Sequence, residues 1–381
     1  MKTAAIICEY NPFHNGHKYL VDQAKSSNDA VVCIMSGSFV QRGDIAIFDK
    51  WTRTHQALLS GADLVVELPV CFSLNSAERF AYGSVNLADS MNVIYTLFFG
   101  SECGDANTLL NAANILLNEP SDVSAKIKKY MSEGMRHPVA RTKAYSDILD
   151  SSIINEPNNI LGIEYIKALI SKNSHIILQT VKRNSVNHDE PNPLGNFASA
   201  SAIRKLIEEK DDIKKLVPKK IISLYKNPVF PKGLDEMLRY KILNMTTEEI
   251  SKINGVCEGL ENRIKIACKE CTSFDEISTF VKSKRYTLAR IRRILLSILI
   301  GIDKDVALAP PSYLRILGSN ATGRKILSQV KKNSDLTIIT KTADFKNFNT
   351  SLDYDIKATD IYNIIQGKKT GEDFYKSPIM I

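Results

Sequence analysis

The 381-residue chain contains no run of about 18 apolar residues, the length a membrane-crossing helix requires. A charged leader followed by an apolar stretch is also missing. The chain opens on a strand instead, so a cytoplasmic protein is the expectation. No Gly-x-x-x-x-Gly-Lys-Ser/Thr string occurs, which argues against γ-phosphate transfer on a P-loop. Cysteine is limited to seven scattered residues, an odd number, read as reduced thiols in that compartment. Cys268-x-x-Cys271, with Cys257 upstream, has no fourth ligand at zinc-binding spacing and no nearby His, so no metal site is predicted. Internal repeats and low-complexity stretches are absent. Charge of either sign is not extreme: 50 Lys+Arg against 42 Asp+Glu gives +8, which permits nucleic-acid contact without requiring it.

A hydrophobic content of 44% over this length is enough for a sizeable core and points to two domains, or one with a large appendage. The most informative stretch is near the start. Residues 4–8 form a short apolar run that fits a buried parallel strand. Asn11-Pro12 reads as a turn. A helix is predicted from Gly16, with Leu20, Val21 and Ala24 on one face. His14 and His17 then lie at the mouth of a helix and the carboxyl end of a strand, where open α/β sheets bind ligands. A helix N-terminus presents free N–H groups and the positive end of a dipole, which suits phosphate. Gly16 lets backbone approach a ligand closely. Two histidines in a plain surface turn is the alternative; only six His occur in the chain, and these two flank a glycine between strand and helix.

His14-Asn15-Gly16-His17 resembles the His-x-Gly-His signature of the nucleotidyltransferase superfamily, which includes cofactor adenylyltransferases and the class I aminoacyl-tRNA synthetases. The longer string Glu9-Tyr10-Asn11-Pro12-Phe13-His14-Asn15-Gly16-His17 resembles the bacterial tRNA(Met) cytidine acetate ligase family. Strings at 35–43, 61–69 and 99–102 resemble the same family, with Ser38 and Ile45 standing where its pattern has Asn and Pro. The resemblance implies an ATP site over Ile7, Cys8, Glu9, Tyr10, Asn11, Pro12, Phe13, His14, Asn15, Gly16, His17, Lys18, Tyr19 and Leu20, with His14 and His17 catalytic.

Further strands are predicted at 30–35, 61–69, 95–102 and 176–181, alternating with helical segments. The polar loop at 36–44 follows the second strand, and Arg42 within it is placed to meet a phosphate or a carboxylate. In the helix predicted over 48–59, Asp49, Lys50, Arg53 and His55 are spaced around the axis, so they cannot all face one site. Gly100 follows a strand, where backbone can pass close to a base or ribose; a plain turn glycine is the alternative. Asn158 precedes helical turns and suits an N-cap. Arg183 ends the fifth strand, where a cation can hold phosphates. By resemblance, Asn158 and Arg183 are the family's ATP-binding Asn and Arg. Ser199 or Ser201 can cap a helix starting near Ala202, which puts Arg204 in its first turn. This resembles the second superfamily signature, whose helix start and arginine hold the β- and γ-phosphates.

From about residue 211 helical periodicity dominates, and 336–340 reads as a late strand. Lys284, Arg285, Arg292 and Arg293 cluster in this region. A solvated helix face is the favoured explanation of any one such cluster; an adenylating head beside it adds weight to contact with an RNA backbone. The expected architecture is therefore a Rossmann-like α/β nucleotidyltransferase domain with a parallel sheet over 1–210, followed by a mainly helical, tRNA-binding domain over 211–381. The resemblance implies ATP-dependent acetylation of the wobble cytidine of elongator tRNA(Met) through acetyl-adenylate, with Mg2+ carried on ATP. A small-molecule adenylyltransferase and a non-catalytic nucleotide- or RNA-binding protein are the alternatives.

Overall fold

The apolar run at the start of the chain lies in the middle of a twisted sheet. The computed structural model describes residues 1–135, 137–183, 196–231, 233–347 and 349–381. In chain order the strands are β1 (Thr3–Cys8), β2 (Ala30–Ser36), β3 (Phe39–Val40), β4 (Asp44–Ile45), β5 (Leu64–Leu68), β6 (Ile94–Ser101), β7 (Ile177–Lys182), β8 (Tyr313–Ser319), β9 (Thr337–Ile339) and β10 (Ile379–Met380). Among the described residues eight of them form one sheet in the order β10-β8-β5-β2-β1-β6-β7, with β9 also paired to β8. β3 and β4 make a separate antiparallel ribbon. β1, β2, β5, β6 and β7 are parallel, and Ala5 pairs with both Val32 and Leu97.

Every residue of β2 and β5 is buried, as expected for strands covered by helices on both faces. From β1 the chain steps outward through β2 to β5, then crosses back to add β6 on the other side of β1. The direction of winding therefore reverses between β1 and β6. Helices leaving the carboxyl ends of these two strands diverge, which opens a crevice there.

The sheet does not end near residue 210. After the helices of 234–308, residues 313–319 return as β8, antiparallel to β5, and β9 and β10 add to β8. The expected division at 210 is thus corrected: the C-terminal segment contributes three strands as well as helices. Leu336–Thr340 was expected as a strand, and β9 lies within it. β8 is buried along its length because Arg315, its one charged residue, meets Asp373. Asp373 also pairs with Lys50 at 2.8 Å, and Lys50 with Glu67 at 2.9 Å, all of them nearly inaccessible. A buried charge is tolerated only with such partners, so this network fixes the end of the chain against β5.

Arg53 is fully buried in the helix Lys50–Leu59. Its guanidinium donates to the carbonyls of Glu9 (2.7 Å), Ser36 (2.9 Å), Phe48 (2.9 Å) and Gly37. It therefore ties the carboxyl ends of β1 and β2 together. Replacing Arg53 with Met leaves four carbonyls without a donor. The variant should lose about 3 kcal/mol or more of unfolding free energy in a denaturant titration. Arg53→Lys should recover less than half of that, because one ammonium cannot reach all four acceptors.

Candidate active site

A cavity of about 380 Å³ occupies the crevice at the β1–β6 switch point. Its floor is the carboxyl end of β1 from Ile6 to Asn11, and Phe99 and Gly100 of β6. Its walls are the start of the helix Asn15–Ser27, the loop after β2, the helix Pro157–Lys172 and the start of the helix Ala200–Glu209.

His14 is the N-cap of the first helix, and its Nδ1 accepts from the Gly16 N–H at 3.0 Å. A Cβ on residue 16 would stand 2.9 Å from the His14 ring, so glycine is needed for this cap. The His17 ring stacks on His14 with centroids 3.7 Å apart, and Tyr10 meets His17 edge-on at 5.0 Å. Tyr10 itself sits at φ +49°, a left-handed backbone for a bulky residue, as the strand turns toward the helix. Burial, reinforced by Arg183 and Arg204, pushes His14 down to about 3. Burial and the neighbouring His14 and Arg183 hold His17 well below the ordinary imidazole range. Both rings are therefore neutral at pH 7, each able to offer one N–H.

Three cations ring this pair. The helix starts at Ala200, two residues before the expected start, so Arg204 is its fifth residue; its guanidinium donates to the Asn11 carbonyl at 2.7 Å. Ser199 caps that helix by accepting from the Ala202 N–H at 3.1 Å, and Ser201 Oγ is 2.9 Å from Ser199 Oγ. Arg183 follows β7, and its own N–H reaches the Ser101 carbonyl at 2.9 Å. Gly100 leaves room for its side chain, since a Cβ there would lie 3.1 Å from Arg183 Cγ. Burial lowers both guanidinium pKa values, and Arg42 on the loop lowers them further by like-charge repulsion. Arginine stays charged through such shifts. Glu102 beside Arg183 and Asp44 beside Arg204 offset part of this, and three arginines lining one cavity suit an anion.

Carboxylates lie at its edges. Glu9 Oε1 accepts from the Gln41 N–H at 2.7 Å and from Ser36 Oγ at 3.2 Å, and burial pushes its carboxyl up. Glu102 accepts from Asn158 Nδ2 at 2.5 Å and from the Asn159 N–H at 2.8 Å, which fixes the start of the helix Pro157–Lys172.

Of the residues expected at the site, Ile7, Cys8, Glu9, Tyr10, Asn11, His14, His17, Leu20, Gly100, Asn158, Arg183, Ser201 and Arg204 line this one cavity. Pro12, Phe13, Asn15, Gly16, Lys18 and Tyr19 do not. Phe13 is buried and its carbonyl accepts from the Tyr225 hydroxyl. Asn15 Nδ2 donates to the carbonyls of Asn196 and Lys215, both at 2.8 Å. Lys18 pairs with Asp22, and Tyr19 faces solvent. Sequence reasoning missed Leu161 and Tyr165, although their spacing from Asn158 places all three on one helix face.

The basic cluster divides. Lys284 and Arg285 are exposed, Arg285 beside Glu258 at 2.8 Å. Arg292 instead pairs with Asp44 and Asp275 and donates to the Gly43 carbonyl at 3.2 Å. Arg293 donates to the Gln41 carbonyl at 3.1 Å. The expected RNA contact is therefore withdrawn for Arg292 and Arg293, whose side chains are turned inward onto the active-site loop.

Among the described residues no three or more His, Cys, Asp and Glu side chains are grouped to hold a metal ion, and no helix is long and apolar enough to cross a membrane.

An open, mostly parallel sheet whose switch point gathers a capping histidine, a second histidine stacked on it and a helix-borne arginine defines a nucleotidyltransferase of the His-x-Gly-His class. The sequence model of the family described as HIGH Nucleotidyl Transferase matches residues 1–376. The tRNA(Met) cytidine acetate ligase of Clostridium botulinum (strain Okra / Type B1) is 38% identical over 407 aligned residues, covering 100% of this chain and 99% of that one. Two crystal structures of Thermotoga maritima TmcAL superpose over the whole chain. The apo form has a TM-score of 0.91 at 31% identity, covering 100% of both chains. The form bound with alpha-thio ATP has 0.89 at 32%, covering 100% of this chain and 99% of that one. The chain belongs to the tRNA(Met) cytidine acetate ligase family.

Two outcomes follow from the geometry. Gly16→Ala should displace the His14 ring and cost about 1 kcal/mol of stability through the lost cap, read by chemical denaturation. The folded state holds His14 near 3 against an ordinary 6.5, so below pH 6.5 the unfolded chain takes up a proton that the folded chain refuses. Stability should therefore fall as pH drops from 7 to 5, with His14 accounting for about 2 kcal/mol. His14→Asn, which keeps a capping side chain, should flatten that part of the pH profile.

Proposed function

We propose that this protein uses ATP to activate acetate as acetyl-adenylate and transfers the acetyl group to N4 of the wobble cytidine of elongator tRNA(Met), giving N4-acetylcytidine. The observation that carries the reading is the convergence of His14, His17, Arg183 and Arg204 on one cavity. The names of the full-length relatives supply acetate and tRNA(Met), and the Thermotoga neighbour bound with an ATP analogue supports ATP as the nucleotide.

The acetate oxygen attacks the α-phosphorus, and the bond to the β-phosphate oxygen breaks. Negative charge grows on the departing pyrophosphate. The neutral imidazoles of His14 and His17 donate N–H groups to it, while Arg204, Arg183 and the free N–H groups of two helix starts hold its oxygens. The preset cations need little reorganisation, so positioning and charge neutralisation carry the step. Gly100 and Asn158 face the nucleoside end. Mg2+ arrives on the triphosphate and is bound chiefly by its oxygens. With tRNA and ATP as substrates, the reaction belongs to the cytoplasm. The tRNA body rests on exposed cations of the helical segment, Lys284 and Arg285 among them.

Acetate-dependent exchange of labelled pyrophosphate into ATP tests the first half-reaction. Wild type should show it without tRNA, and His17→Ala or Arg204→Ala should lose about 100-fold or more in rate. Exchange that ignores acetate would overturn the assignment. Lys284→Ala with Arg285→Ala should weaken tRNA binding about tenfold with a shallower salt dependence, leaving exchange intact.

A further inference from the structure

A second cavity, of about 280 Å³, adjoins the first and shares Asp44, Ser201 and Arg204 with it. We propose that this second cavity receives the unstacked cytosine of the acceptor RNA and feeds its amine into the adenylate site; this rests on the function proposed above. Its size is at the small end of ligand pockets and suits a single nucleoside. Its walls are apolar: Ile45, Ile47, Phe230, Leu234, Phe274 and Leu296. Such a slot takes a planar ring, and single-stranded bases are commonly held by stacking on aromatic side chains. An exposed cation stands at the rim, Lys205 from the helix Ala200–Glu209, where a backbone phosphate of a flipped nucleotide would lie.

The shared wall carries the chemistry. Asp44 belongs to both cavities, and Arg292 binds its Oδ1. Its other oxygen can accept from an exocyclic amine. A carboxylate in that position favours cytosine, whose N4 donates, over uracil, whose O4 would be repelled. The N4 lone pair attacks the acetyl carbonyl carbon, the carbonyl–oxygen bond to AMP breaks, and AMP leaves with that electron pair. The surplus N4 proton passes to Asp44 and then to solvent. Ser201 and Arg204, the other shared residues, hold pyrophosphate in the first step. The base can therefore come through this wall only after pyrophosphate has gone, which orders the two half-reactions.

The test uses Phe230→Ala, which removes a stacking surface, and Glu208→Trp, which fills the pocket from an exposed helix position. Neither residue lines the ATP cavity. Acetate-dependent pyrophosphate exchange should stay within twofold of wild type. Acetyl transfer at saturating elongator tRNA(Met) should fall at least tenfold for both variants. Transfer that survives in both, or transfer and exchange falling together, would overturn the assignment. An absence of acetate-dependent exchange in wild type would instead sink the underlying function, so the two failures are distinguishable.

Discussion

One guanidinium sets the geometry on which everything else stands. Arg53, wholly enclosed, donates to the carbonyls of Glu9, Ser36, Gly37 and Phe48. Those of Glu9, Ser36 and Gly37 lie where two neighbouring parallel strands stop being a sheet. Strand ends leave backbone acceptors without ladder partners, and a buried acceptor without a donor is costly. Arg53 satisfies several at once and keeps β1 and β2 in register just where the first must turn toward the helix carrying His14 and His17. A methionine of similar length would fill the volume and do none of this.

Above that clamp the site is built as an electrostatic deficit. Burial, with Arg42 adding to it, lowers Arg183 and Arg204, and burial keeps both histidines neutral. Had the histidines been charged as well, the cavity would carry two more buried cations. Neutral rings give N–H donors at lower cost to folding, and the arginines supply the charge. Burial raises the Glu9 carboxyl, while the Gln41 N–H and the Ser36 hydroxyl bind it and turn its Oε1 toward the loop. An incoming polyphosphate would relieve the repulsion among the cations.

Much of this was legible in the sequence because local rules and tertiary placement agree there. The strand–turn–helix at 3–27, Ser199 capping the helix of Arg204, and Arg183 at a strand end all follow from spacing and capping preference. Where local pattern is silent, the reading failed. Tyr313–Ser319 includes Arg315, and nothing nearby in sequence shows that Asp373, about sixty residues later, would neutralise it inside the sheet. The basic run at 284–293 was read as one cluster, yet Arg292 and Arg293 lie on the helix Leu288–Ile300 and turn inward, while Lys284 and Arg285 sit in the loop before it, in solvent. Arg292 finds Asp44 some 248 residues earlier in the chain, a pairing no window of sequence contains.

That last pairing explains why the helical segment is more than an appendage. Gly43 lies at φ +78°, and a Cβ there would come within 2.7 Å of Arg292 Cβ and 2.8 Å of the Arg293 amide nitrogen. The loop after β2 and the helix Leu288–Ile300 therefore meet backbone to backbone, with Arg292 and Arg293 donating to the Gly43 and Gln41 carbonyls. The same loop holds Glu9 through Gln41 and offers Asp44 to both cavities. A rigid join of this kind leaves little freedom between the surface that carries exposed cations and the wall that divides the two cavities. An RNA bound as proposed would thus be aligned with the adenylate by the fold itself, without a separate hinge, while Arg292 and Arg293 hold the loop after β2 in place.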